Sequence, residues 1–159
     1  MKWMVWLIVT LLPLAAVAEE AVEPVPVDER VGSQLDALDL AYDVDKDNDY
    51  ELLFEFDDGR SQFAWIRSQV YASHDVDIRD IWSYAYMHPT KHLPGDLERR
   101  LLIENYGTVM GSWAREENAI VYIAKIPADA PAEVLQAALY EVAEIADELE
   151  KELVGTDEL

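Results

Sequence analysis

A chain of 159 residues is long enough for one domain with a true core and short for two. Its 33 acidic residues against 12 Lys and Arg give a formal charge of −21, which repels phosphate backbones and anionic membrane surfaces and excludes nucleic acid as a partner. Cysteine is absent, so no disulfide supports the fold and stability rests on core packing.

The first eighteen residues, MKWMVWLIVTLLPLAAVA, hold one lysine, an apolar run broken by Pro13, and the small residues Ala16-Val17-Ala18 before Glu19. This pattern predicts a secretory signal peptide cleaved after Ala18, a periplasmic or secreted protein, and no stable membrane insertion after cleavage. Lipid attachment at such a site needs a cysteine, which is lacking. Cleavage removes one cation and no acid, so the mature chain carries one negative charge more than the whole. Such a surface suits cations and basic partner segments.

Residues 19–32, EEAVEPVPVDERVG, mix acids, valines and two prolines without a helical stripe and read as an acidic tether. Ser33 can cap a helix over about 33–41, with Leu35 and Leu38 on one side. Tyr50, Leu52, Phe54 and Phe56 then recur at period two, the mark of a half-buried strand over 49–57. Asp57-Asp58-Gly59 turns the chain into QFAWIRSQVYA, and after His74-Asp75 comes VDIRDIWSYAYM, which predicts a three-stranded meander over 49–57, 61–72 and 76–86. HPTKHLPG forms a loop, Asp96 starts a helix that ends near Gly107, and TVMGSWAR and AIVYIAKI make two further strands joined through Glu116-Glu117-Asn118. Leu135, Ala138, Val142, Ile145, Leu149 and Leu153 recur at three and four residues, predicting an amphipathic helix over about 131–153. Residues 154–159 form an acidic tail.

The expected order is α-β-β-β-α-β-β-α, an α+β fold. YDVDKDNDYELLFEFDDGRSQFAWIRSQ, then DIRDIWSYAY, the leucine helix, NYGTVMGSWAREENAIVYIAKIP and the closing acidic helix resemble the YbjN domain family of bacteria, over roughly residues 33–153. The resemblance implies a curved antiparallel sheet with packed helices, similar to type III secretion chaperones, which bind extended client segments and often pair as dimers. The signal peptide sets this chain apart from the usual cytoplasmic members.

Two candidate sites follow from the residues. Asp43, Asp45, Asp47 and Asp49 alternate like the ligands of a calcium loop, with Asn48 at its tight turn. The twelfth position, which needs a bidentate Glu, is Phe54, so the loop predicts weak calcium binding at best and otherwise an acidic turn that bonds its own backbone. Trp82, Tyr84 and Tyr86 alternate along one strand and form a candidate protein-binding surface. His88 and His92 lack a third ligand and lie among prolines. No nucleophile elbow or cysteine nucleophile is present. The chain therefore reads as an exported, non-enzymatic binding protein acting on a protein partner or segment, with homodimerisation possible. A weakly calcium-binding module is the alternative, and a hydrolase the third reading.

Overall fold

The computed structural model describes residues 25–90, 93 and 95–157. The expected signal peptide, residues 19–24 of the expected tether and His92 lie outside the described residues. The elements are α1 (Glu29–Ala37), β1 (Asp43–Val44), β2 (Tyr50–Glu55), β3 (Ser61–Ser73), β4 (Val76–Met87), α2 (Gly95–Glu104), β5 (Gly111–Glu116), β6 (Ala119–Pro127) and α3 (Ala132–Leu153). The fold is α+β, one antiparallel sheet ordered β1-β2-β3-β4-β6-β5 with three helices. None of the described helices is long and apolar enough to cross a membrane.

The first helix begins a turn earlier than its sequence suggests, inside the span expected to be tether. Asp28 is the cap: its carboxylate accepts from the Arg30 amide at 3.1 Å, while the Ser33 hydroxyl donates to the Glu29 carbonyl within the helix. Both residue types cap well, and tertiary contacts decide between them. Asp28 also binds the buried Arg79 guanidinium, and Arg79 donates at 2.7 Å to the Arg67 carbonyl, where the β3–β4 register slips. A long-range ion pair therefore places the start of α1 beside an irregular stretch of sheet.

The unforeseen strand β1 pairs Asp43 with Glu51 and Val44 with Tyr50, so the aspartate stretch is a hairpin turn. After α2 the chain enters the sheet at its edge as β5 and returns as β6 to pair with β4. The tail also departs from expectation in part, since the Asp157 carboxylate accepts from the Ser61 amide and hydroxyl.

Helix α3 packs on one face of the sheet. Leu135, Ala138, Leu139, Val142 and Ala143 cluster with Leu52, Ala64, Ile66, Ile81, Tyr122 and Ala124. Alanines on both sides let helix and sheet approach closely, and each fully buried Leu, Ile or Val contributes about 1.5–3 kcal/mol relative to exposure. A second cluster joins Leu101 of α2 to Ala146 and Leu149 of α3 and Ile120 of β6. The buried apolar side chains of all three helices belong to these clusters, which leaves the reverse face of the sheet without a described helix upon it.

Candidate protein-binding face

Strand alternation sends Phe63, Trp65, Trp82 and Tyr84 to that uncovered face. The registers align Glu51, Trp65, Trp82, Ile123 and Ser112 in one row across β2, β3, β4, β6 and β5. At about 4.8 Å between strands the row spans roughly 19 Å. Phe63, Trp65, Trp82, Tyr84 and Ile123 are half-buried, and Leu53, opposite Phe63, is 51% exposed.

The rings support one another. Phe63 and Trp65 lie 5.8 Å apart, Trp65 and Trp82 stack at 6.1 Å with planes 18° apart, and Tyr84 meets Trp65 edge-on at 5.5 Å. The Arg67 guanidinium sits 4.7 Å from the centroid of the Trp82 ring. Such pairs contribute about 0.5–1.5 kcal/mol each beyond area burial, so the strip is ordered before any partner arrives. Carboxylates satisfy its polar atoms: the Trp65 indole N–H donates to Glu51 at 2.9 Å and the Tyr84 hydroxyl to Glu116 at 2.6 Å. Burial, then the hydrogen bond to Glu116, pushes the Tyr84 phenol up to about 12. Asp80 is held between Arg67 and Lys125. The strip is thus apolar along its middle and bordered by acids.

Of the three aromatics picked from the sequence, Trp82 and Tyr84 share this face and Tyr86 does not. The ladder pairs Tyr84 with Val121 and Tyr86 with Ile120, so Ala85 is an extra residue and the alternation reverses. Beyond this bulge Tyr86 packs against the cluster containing Leu101 and Leu149, and its ring meets His88 at 6.0 Å. Sequence parity alone cannot reveal a bulge. It also passed over Phe63, Leu53 and Ile123, whose place in the strip depends on pairing between strands.

The four aspartates of the turn do not converge. Asp45 uses one carboxylate oxygen to accept from the amides of Asp47, at 2.8 Å, and Asp49, at 2.9 Å. Asp49 accepts from the Ser68 amide at 2.8 Å, and burial raises its pKa. Asp43 and Asp47 point to solvent, Asn48 takes the left-handed φ of 65°, and Phe54 is buried in the core. The turn does what Asp and Asn do well in turns, bonding its own backbone. His88 Nδ1 engages Thr90.

A different trio of carboxylates does converge among the described residues: Asp147, Glu150 and Asp157 place oxygens within 4.8 Å of one another. A guanidinium already lies among them. Arg60 binds Asp147 at 2.6 Å, Glu150 at 2.7 Å and Asp157 at 3.9 Å, tying the β2–β3 turn to α3. These contacts make the trio a structural clamp. No family model matches the chain, and no curated protein matches it.

Proposed function

We propose that this is an exported, non-enzymatic binding protein whose uncovered sheet face takes an extended protein segment carrying a basic flank. The observation that carries the reading is the ordered aromatic strip of Phe63, Trp65, Trp82 and Tyr84 on a face that no described helix covers. Aromatic rings offer large contact area at low entropic cost and dominate binding energy when a partner desolvates them. Glu51 and Glu116 border the strip, and the chain's −21 charge would steer a basic segment towards it. The resemblance to YbjN domains, and through them to chaperones that hold client segments, fits the same role. The signal peptide expected in residues 1–18 would carry such a protein out of the cytoplasm, which suits this reading.

A photo-crosslinker at Leu53 tests the reading, with one at Val76, exposed beyond the strip, as the control. The expected result is a discrete peptide captured from Leu53 in the exported fraction and not from Val76. Synthesised, that peptide should bind the native chain and lose about 2 kcal/mol of affinity, roughly thirtyfold, to Trp82→Ala or Tyr84→Ala. Equal capture from both positions, or a peptide indifferent to both substitutions, overturns the proposal.

A further inference from the structure

On the helix side of the molecule, a groove of about 690 Å³ runs between the α2–β5 connection and α3. Its base is apolar, with Trp113, Ile145 and Leu149, and Glu144, Glu148 and Glu152 stand at four-residue intervals along its α3 wall. From Glu141 to Glu152 the wall is about 16 Å long at 1.5 Å per residue, three turns of helix. Glu141 is committed to the fold, accepting from the amides of Met110 and Gly111 and the hydroxyl of Tyr122. Glu144 and Glu148 are exposed. Among the described residues Arg100 is the one basic residue in the lining, and it pairs with Glu104 and Glu152.

Beside the groove, one short stretch exposes four large apolar side chains: Leu102 is 72% exposed, Ile103 64%, Tyr106 99% and Val109 89%. Val109 lines the groove itself. Scattered apolar residues on a surface are ordinary, and of these four only Val109 faces the groove, since Leu102 lies in a separate hollow with Asn105 and Ala114, and Ile103 in another with Asp96 and Arg99. An apolar trough with a helical row of carboxylates on one wall complements an amphipathic helix with an apolar stripe flanked by Lys or Arg.

We infer that this groove docks a basic amphipathic helix from a partner protein, at a site separate from the aromatic strip. A second copy of the chain is a poor occupant: its charge is −21, and none of α1, α2 and α3 carries a basic stripe. The apolar base of Trp113, Ile145 and Leu149, with Val109 beside it, favours a protein helix over a simple polycation, which would need only the carboxylates. The partner's register is set by the spacing of Glu144 and Glu148, Glu152 being held by Arg100, which calls for cations three or four residues apart.

The probe is a peptide of about fourteen Leu and Lys residues patterned for an amphipathic helix, long enough to form one on docking. Its titration should saturate at one site per chain. Glu144→Gln with Glu148→Gln should weaken it at least about tenfold, whereas Asp43→Asn with Asp47→Asn, an equal charge change in the aspartate turn, should shift it less than about twofold. Because the chain lacks cysteine, Ala137→Cys at the groove accepts a single photo-crosslinker, which should capture the peptide. Trp82→Ala should leave affinity unchanged, which separates this site from the strip. Equal weakening by the two double variants, equal binding of a scrambled peptide of the same composition, displacement by spermidine alone, or failure of the groove label to capture the peptide would each overturn the inference.

Discussion

The two faces of the sheet use their aromatic rings differently. The covered face sets Ala64, Ile66, Ile81 and Ala124 against the alanines and leucines of α3 and buries Tyr50, Phe54 and Tyr122 in the same core, whereas the uncovered face carries Phe63, Trp65, Trp82 and Tyr84 half-buried. In a protein whose aromatics served only as core volume, the second set would be buried as fully as the first. Close packing against a helix requires small and branched residues at the contact, and the alanines supply that closeness. The rings stand instead where their edges stay accessible and where only other rings, Arg67 and two glutamates hold them. Size alone therefore does not mark the core here; the register does.

The largest effect should come from breaking the clamp that fastens the covered face. Arg60 is the cation shared by Asp147 and the fully buried Glu150, and Arg60→Ala leaves both carboxylates without it in a dry setting. The expected loss is about 3–5 kcal/mol of unfolding free energy, read from denaturant melts. A loss under about 1 kcal/mol would mean that water enters the site and the clamp is not a fastening.

The comparison itself is sharpened by truncating one residue on each face. Leu139, on α3, is fully buried against the sheet, so Leu139→Ala should cost about 2–5 kcal/mol through lost transfer energy and the cavity left behind. Trp82 is larger but half-buried, and Trp82→Ala should cost only about 1–2 kcal/mol, mostly its stacking with Trp65 and its contact with Arg67. Thermal melts of the two variants check the order. If Trp82→Ala proves the costlier, the uncovered face is a second core and the asymmetry between faces fails.

Features that are local in sequence were readable from it. Helix α3 spans Ala132–Leu153 where the three-and-four spacing of Leu135, Ala138, Val142 and Leu149 predicts 131–153, and β2, β3 and β4 follow their runs within a residue or two. What escaped depends on distant partners. The cap of α1 at Asp28 is tied to Arg79, and the place of β6 between β4 and β5 has no signature within either strand. The bulge at Ala85 separates Tyr84 from Tyr86 across the sheet. Asp147 and Glu150 read as part of an acidic helix, because the arginine that binds them lies 87 and 90 residues away. Half of the candidate strip was visible as aromatic residues; its assembly into one row was written in strand pairing.

The smallest expected effect compares one tyrosine from each face. Tyr84 on the uncovered face and Tyr122 on the covered face are both pushed up to about 12, in each case by burial first and then by a hydrogen bond to a carboxylate, Glu116 or Glu141. A phenol whose folded pKa exceeds its unfolded value near 10 contributes stability that is fully present below pH 10 and is lost as pH rises towards 12. Tyrosinate absorbance during a titration from pH 9 to 12.5 should therefore show both residues ionising late. Glu116→Gln should advance Tyr84 alone towards the ordinary range, because the charge opposing its ionisation is gone while burial persists. The same variant should leave Tyr122 where it is, since the carboxylate beside Tyr122 is Glu141 on α3. If Glu116→Gln advances neither phenol, burial alone sets the Tyr84 shift, and the carboxylate border of the strip has no electrostatic hold on its rings.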